Sequence, residues 1–179
     1  LRAVSCTSDT ACVAVGGIQP TAGSSVAAIE TLSGGQWTLD TTLDAADTAA
    51  AEEWSGVSCP AAGACVAVSD AGIAATLSGG TWTAAPMPRG MRAVSCSSVT
   101  ACTAAGGYTS DRAGDPQPWV AELHGTAWTP FGLPRPVGFG DLVAVSCPAD
   151  MSCVAGGTSI RYAPSAVLSP PLIESELAA

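Results

Sequence analysis

The spacing of the cysteines constrains the fold of this chain more than any other feature. Its eight cysteines fall into four pairs, and each pair has five intervening residues: Cys6 and Cys12, Cys59 and Cys65, Cys96 and Cys102, Cys147 and Cys153. Zinc sites usually place about two to four residues between paired cysteines and often recruit histidine, and the only histidine is His124. No Cys-x-x-Cys redox motif occurs. The regular spacing therefore predicts four local disulfides and an oxidising, extracellular location for an exported protein.

The sequence around the cysteine pairs recurs along the chain. The segments LRAVSC, WSGVSC, MRAVSC and LVAVSC lead into the first cysteine of each pair. A second signature, Leu-x-Gly-x-x-Trp-Thr, stands at Leu32–Thr38, Leu77–Thr83 and Leu123–Thr129. First cysteines are 53, 37 and 51 residues apart, which is close to a propeller blade of about 40 to 50 residues. The repeat predicts an all-β, β-propeller-like chain with blades at approximately 1–44, 54–88, 91–136 and 142–173.

Each unit is interpreted as a four-stranded antiparallel sheet. If Val4 lies opposite Ala14, Cys6 faces Cys12 and a disulfide closes the hairpin of the first two strands. A third strand ends in a tight turn in which glycine takes positive φ, and Trp-Thr begins the fourth strand. A β-sandwich also uses short strands, but it does not explain the two repeated signatures. The range 44–54 is predicted as the one helix, and the last unit lacks the Trp-Thr signature, so the chain is either a single propeller domain or a fragment of a larger ring.

Blocks such as VSCPAAGACVAVS and TLSGGTWT resemble the Cys-paired propeller repeats of secreted proteins from GC-rich bacteria. The second signature is also distantly similar to the Asp-box of sialidase-like propellers, Ser-x-Asp-x-Gly-x-Thr-Trp. Trp37, Trp82 and Trp128 match its tryptophan, whereas the aspartate is missing from every copy. The resemblance implies a secreted propeller, and such a fold does not by itself determine a function.

Charge limits the partners of the chain. Fifteen acidic residues oppose six basic ones, which gives a formal net charge of -9. Nucleic acids and anionic membrane surfaces would repel such a chain, and no apolar run reaches the roughly 18 residues of a membrane span. We therefore expect no nucleic-acid binding and no membrane insertion. The expected partner is a protein or glycan at the cell surface, or a further copy of the chain itself.

Loop lengths indicate where a ligand would bind. Two connections vary in length between units: the one from the second cysteine to the repeat Trp spans 25, 17 and 26 residues, and the one from that Trp to the next cysteine spans 22, 14 and 19. The disulfide hairpin and the glycine turn keep the same length in every unit that contains them. Alternate connections of a meander lie at opposite ends of the strands. One end is thus a constant face, and the other is a variable face where binding is expected. The candidate ligand-binding residues on the variable face are Arg2, Gln19, Arg92, Tyr108, Asp111, Arg112, Asp115, Trp119, Arg161 and Tyr162.

Two chemistries are considered for this face. Arg2 and Arg92 hold the same repeat position and could form a cationic rim for a carboxylate or sulfate ligand; the alternative is that they pair with nearby acidic residues. Asp111 and Asp115 could bind calcium, but a plain Asp-x-x-Gly turn from Asp111 to Gly114 explains them better, since Asp and Gly favour turns. We predict no metal site and no cofactor.

Catalytic sets are not evident in the sequence. His124, which a Ser-His-Asp triad would need, replaces a turn serine on the constant face, and Glu52 and Glu53 are adjacent, solvated acids. Sialidase-like chemistry would need Arg2, Arg92, Tyr108 and Glu122 together, yet no local motif links them. The expected function is an exported, non-catalytic propeller that acts as a binding or structural module at the cell surface. The alternatives are a glycan-active hydrolase domain and a subunit of an extracellular assembly completed by strand or blade sharing.

Overall fold

A computed structural model describes residues 1–21, 24–43, 51–109, 116–133, 139–149, 152–163, 166–168 and 171–175. These residues form four antiparallel sheets that follow one another along the chain. The first two sheets comprise β1 (Ala3–Ser8), β2 (Ala11–Thr21), β3 (Ser24–Ser33), β4 (Gln36–Leu39), β5 (Trp54–Ala61), β6 (Ala64–Ser69), β7 (Ile73–Ser78) and β8 (Thr81–Pro86). The last two comprise β9 (Met91–Ser98), β10 (Ala101–Thr109), β11 (Pro116–His124), β12 (Ala127–Gly132), β13 (Phe139–Ala149), β14 (Ser152–Ala163), β15 (Ala166–Leu168) and β16 (Pro171–Ser175).

A disulfide closes the first hairpin of every sheet, as the cysteine spacing predicts. Cys6 bonds to Cys12, and the other three pairs are bonded in the same way. The predicted register is also confirmed, because Val4 lies opposite Ala14 and Cys6 opposite Cys12. The bonded Cα atoms of this first pair are 4.0 Å apart.

The turns of the repeated Trp-Thr signature need glycine. Gly34 and Gly35 have φ of 59° and 79°, and Gly79 and Gly80 have φ of 61° and 82°. Two successive positive φ values match the primed turns that join antiparallel strands, and a residue with a Cβ would be strained there. The glycine pair therefore fixes the register in which Leu77 pairs with Trp82.

Neighbouring sheets pack face to face, and each sheet uses its two faces differently. One side of the second sheet carries Val57, Cys65, Leu77 and Trp82. We call this side, and the equivalent side of each other sheet, the front face. The back face is the side of the first sheet that carries Val13, Val15 and Ile29, and its equivalent. The back face of the first sheet packs on the front face of the second in one buried cluster. The same arrangement joins the second sheet to the third and the third to the fourth, so small apolar residues on both strand faces are explained by burial between sheets.

One side-chain hydrogen bond recurs between consecutive sheets. In the first three sheets, the serine of the Val-Ser-Cys segment accepts a hydrogen bond from the backbone N–H of the first cysteine in the next sheet. Ser5 accepts from Cys59, Ser58 from Cys96 and Ser95 from Cys147, each at 3.0 Å. The innermost strands β1, β5, β9 and β13 contact one another in this order, and the serine links hold them in register.

The fourth sheet differs from the other three. Both β15 and β16 pair with β14, β15 near Arg161–Ala163 and β16 along Val154–Thr158. Within the described residues, β16 pairs with no strand except β14. β15 and β16 therefore lie one after the other along the same edge of β14, and this sheet is three strands wide instead of four. The predicted helix lies mostly outside the described residues, at 44–50, and its last residue, Trp54, belongs to β5.

Candidate functional site

A large opening lies on the variable face, at the ends of the innermost strands. Its volume is about 1100 Å³. Arg2, Arg92 and Val143 occupy equivalent repeat positions at its wall, where each innermost strand begins and far from its disulfide. We call this space the central opening; its charged lining residues are Arg2, Glu52, Glu53, Asp70, Arg89, Arg92 and Asp141.

Arg2 is paired with an acidic residue from the segment before the second sheet. Its Nε and Nη2 donate hydrogen bonds to the two carboxylate oxygens of Glu53, at 2.8 and 2.9 Å. This bidentate geometry suits a guanidinium and a carboxylate. The hydrogen bonds with Arg2 lower the pKa of Glu53, and the same contact raises the pKa of Arg2.

Arg92 is shared between two carboxylates from different sheets. Its Nε donates to Asp141 Oδ2 at 3.1 Å, and its Nη1 lies 3.3 Å from Asp70 Oδ2. Asp141 is partly buried, and burial raises the pKa of its carboxyl group while Arg92 opposes that shift. With three arginines and four carboxylates, the lining of the central opening is mixed in charge, so the alternative that the arginines pair with acids describes it better than a cationic rim.

Close backbone packing positions these side chains. Gly90 has a φ of 82°; its N–H donates to Asp70 O at 2.9 Å and its carbonyl accepts from the Gly107 N–H at 3.0 Å. A Cβ at Gly90 would collide with the Gly107 carbonyl. This requirement for glycine fixes the loop before β9, and hence the point at which Arg92 enters the opening.

Aromatic and cationic groups remain available on the same wall. Tyr108 is 42% exposed, and its ring centroid is 5.8 Å from that of Trp119 with the planes inclined by 33°. Arg89 is exposed and forms no ion pair with any of the residues that the structure describes. Trp119 itself is partly buried against the core, so Tyr108 is the aromatic side chain presented to the opening. An exposed tyrosine and an unpaired guanidinium in one opening are a suitable surface for a polar, partly apolar ligand.

The structure brings together only some of the predicted site residues. Arg2, Arg92 and Tyr108 line the central opening, Trp119 stacks on Tyr108, and Gln19 is exposed on β2. Asp111, Arg112 and Asp115 lie outside the described residues, so calcium binding by the two aspartates stays untested. Arg161 and Tyr162 pair with β15 through their backbone, and their side chains are not described.

Sequence reasoning missed the residues that pair with the arginines. Glu53 was expected to be a solvated acid, and Asp70, Asp141 and Arg89 were not identified. One signal was present in the repeat, because Glu53 and Asp141 each stand six residues before the first cysteine of their pair, just as Arg2 and Arg92 stand four residues before theirs. Asp70 directly follows β6. Strand ends on the variable face are the positions that such a count would search.

The residues of the sialidase-like set are separated. Glu122 is buried and pairs in register with Thr103, five residues along β10 from Tyr108, which is about 17 Å of strand. His124 Nε2 lies 3.2 Å from Glu122 Oε2, and His124 is exposed as expected for the constant face. Glu122 therefore contacts His124 and lies at the opposite end of the sheet from Arg92 and Tyr108.

The described residues contain neither a metal-binding cluster nor a membrane-spanning helix. Within the described residues, no group of three or more His, Cys, Asp or Glu side chains is arranged to hold a metal ion. The same part of the chain contains no helix that is long and apolar enough to span a membrane.

Two of the four acidic residues of the opening are expected to have pKa values shifted in opposite directions from those of ordinary carboxyl groups. The pKa of Glu53 should lie below 4.5 and that of Asp141 above 3.8. Ionised Glu53 thus stabilises the fold, and this contribution is lost as the pH falls through its lowered pKa; protonation of Asp141 instead favours the fold as the pH falls through its raised pKa. Carboxyl-carbon NMR titration measures both values.

The variants Arg2→Gln and Arg92→Gln separate these effects. Arg2→Gln should raise the pKa of Glu53 towards 4.5 and leave Asp141 unchanged, whereas Arg92→Gln should raise the pKa of Asp141 further, because Arg92 lowers it. If Glu53 kept its low pKa in Arg2→Gln, the ion pair would not be its cause.

Comparison with known proteins supports the fold and leaves the family open. No protein-family model matches the chain, and no curated protein matches it. A solved β-propeller described as "YCF48 bound to D1 peptide" has a similar structure, with a TM-score of 0.58, 14% sequence identity and coverage of 95% of this chain. The chain covers only 54% of that propeller, so its four sheets correspond to about half of the larger protein. The four disulfide-bridged sheets and this neighbour show that the chain has a β-propeller-like fold.

Proposed function

We propose that the chain is an exported, non-catalytic β-propeller module that binds a segment of a partner protein in the central opening. The mixed-charge lining carries this proposal: Arg89 is available for a carboxylate of the partner, while Asp70 and Asp141 already share one arginine. Such a wall suits a polypeptide, which offers both signs of charge and a polar backbone, better than an anion alone. Four disulfides support export into an oxidising compartment at the cell surface.

The aromatic pair supplies the second part of the argument. Tyr108 lines the opening and packs on the partly buried Trp119, which holds its ring in place; tyrosine, tryptophan and arginine dominate the energetics of protein interfaces. The neighbouring β-propeller structure contains a bound peptide, so the architecture can present a peptide site. The loop residues Asp111, Arg112 and Asp115 are proposed to extend the same binding face.

Peptide selection with site variants tests the proposal. Peptides are selected from a random library on the oxidised chain, and their dissociation constants are measured by fluorescence anisotropy. Arg89→Gln and Tyr108→Ala should each weaken binding by about tenfold or more, because each removes an anchor. Thr126→Ala, in an exposed turn of the constant face, is the matched control and should leave binding unchanged.

A parallel glycan array distinguishes the ligand class. Binding of glycans but of no peptide would replace the protein partner by a carbohydrate. If Thr126→Ala weakened peptide binding and Arg89→Gln and Tyr108→Ala did not, the binding site would lie on the constant face. That result would contradict the proposal. Turnover of sialosides that is lost in Arg92→Gln would favour the hydrolase alternative instead.

A further inference from the structure

An arginine–carboxylate pair recurs where consecutive sheets meet at the central opening. Arg2 and Arg92 stand four residues before the first cysteine of their own unit, and Glu53 and Asp141 stand six residues before the first cysteine of the next unit. Arg2 contacts Glu53 at 2.8 Å, and Arg92 contacts Asp141 at 3.1 Å. Packing therefore brings these two repeat positions together, and an ion pair joins the first sheet to the second and the third sheet to the fourth.

The junction between the second and third sheets lacks such a pair at these positions. Ser55 holds the arginine position and Gly90 holds the carboxylate position. The Ser55 hydroxyl contacts the backbone carbonyl oxygens of Val68 and Met91, at 3.0 and 2.7 Å, and it presents no charge to the opening. Gly90 has no side chain, and a Cβ there would collide with the Gly107 carbonyl. We call this part of the wall the second–third junction.

Arg89 lies beside the second–third junction, and its backbone is held in place. The Met87 N–H donates to the Gly72 carbonyl and the Gly90 N–H donates to the Asp70 carbonyl, each at 2.9 Å. These bonds tie the loop before β9 to the turn after β6 on both sides of Arg89. The stem of the arginine passes close to Gly72, where a Cβ would come within 2.8 Å of Arg89 Cγ. Arg89 is exposed and forms no ion pair with any residue in the described ranges.

Tyr108 lies at a neighbouring point of the same wall. The Gly107 N–H donates to the Gly90 carbonyl at 3.0 Å, so Arg89 and Tyr108 are each one residue away from this hydrogen bond. Tyr108 also lines the central opening and is exposed. The wall thus offers a cation and an aromatic ring on a fixed backbone, and such preorganisation lowers the entropy cost of binding.

We propose that Arg89 binds a carboxylate of the bound segment at the second–third junction, so that the ligand completes the series of arginine–carboxylate pairs along the wall. An apolar side chain next to this carboxylate packs on Tyr108. The ligand class is therefore a polypeptide segment in which an Asp, a Glu or the C-terminal carboxylate adjoins an apolar residue. Because the chain carries a net charge of -9, it repels acidic runs, and the ligand has a single carboxylate at this point. This inference rests on the proposed function, which puts a polypeptide in the central opening.

Carboxylate-to-amide changes in the selected peptides test the inference. Each Asp or Glu of a peptide is replaced by Asn or Gln, and the C-terminus is amidated in a separate peptide, which distinguishes a side-chain carboxylate from a terminal one. One of these changes should weaken binding to the oxidised wild-type chain by about tenfold or more in fluorescence anisotropy. The same change should have no further effect on binding to Arg89→Gln, and it should keep its full effect with Thr126→Ala. Circular dichroism checks that each variant is folded.

Charge reversal adds a gain of binding to this test. Where the carboxylate belongs to an Asp or Glu of the peptide, Arg89→Glu should reject the original peptide. The same variant should bind a peptide with lysine at that position about tenfold more tightly than the wild-type chain does, because the two charges then exchange places.

Two results would overturn the inference and leave the proposed function intact. One is a set of peptides that bind equally well whichever carboxylate is converted to an amide, and the other is a carboxylate preference of unchanged size in Arg89→Gln. Failure to select any peptide that binds the chain would overturn the inference together with the proposed function.

Discussion

Reduction of all four disulfides is expected to unfold the chain at room temperature. Each bond closes a loop with a sequence separation of 6, and in the chain-entropy model such a loop contributes about 2 to 2.5 kcal/mol. Four contributions of this size are comparable with the roughly 5 to 15 kcal/mol that stabilises a small domain. Far-ultraviolet circular dichroism during urea titration, with and without reductant, measures the loss.

A single-pair variant provides the control for this result. Cys6→Ser combined with Cys12→Ser removes only the bond of the first hairpin and should lower the free energy of unfolding by about 2 to 2.5 kcal/mol, with cooperative unfolding retained. If the fully reduced chain unfolded at the same urea concentration as the oxidised chain, the disulfides would be dispensable and the fold would depend on sheet packing alone.

The second large effect is expected from Trp82→Ala. Trp82 is 2% exposed between the first and second sheets, so its removal should leave a cavity and lower the free energy of unfolding by about 3 to 5 kcal/mol. Trp37 holds the same repeat position but is 46% exposed. Trp37→Ala should therefore cost less than about 1 kcal/mol.

Urea denaturation compares the two variants. Trp82→Phe, which keeps most of the buried volume, should fall between the wild type and Trp82→Ala. Equal losses for Trp37→Ala and Trp82→Ala would mean that both tryptophans are equally covered, and the order in which the sheets pack would be wrong.

Local features of the fold could be predicted from sequence because short chain segments determine them. Five residues between Cys6 and Cys12 fix the hairpin register, and the glycine pair at Gly79 and Gly80 specifies a turn with two positive φ values. Repetition then extends the interpretation of one unit to its neighbours. The end of the chain does not follow the repeat, and there the third strand position is divided between β15 and β16.

The charged residues of the central opening could be predicted from the sequence only in part, because only some of them occupy repeat positions. Counting along the repeat places Arg2 and Arg92 at equivalent positions, and the structure brings both to one wall. The repeat also marks two of their acidic partners, because Glu53 and Asp141 both stand six residues before the first cysteine of their pair and each meets the arginine of the preceding sheet. Asp70 comes from the connection after β6, whose length varies, and no repeat position identifies it. That these positions meet follows from the packing of one sheet on the next, which counting within a single repeat does not reveal.

Hydrogen–deuterium exchange of the oxidised chain with a selected peptide tests the central claim most directly, because it maps binding to one end of the sheets. The account predicts protection on the variable face, at Gly90–Arg92, Gly107–Tyr108 and Asp141–Val143, which line the central opening. The disulfide hairpins and the glycine turn at Gly79–Gly80 should exchange at the same rate with and without peptide. Protection concentrated in those hairpins and turns, with unchanged exchange around the opening, would contradict the assignment of the binding face.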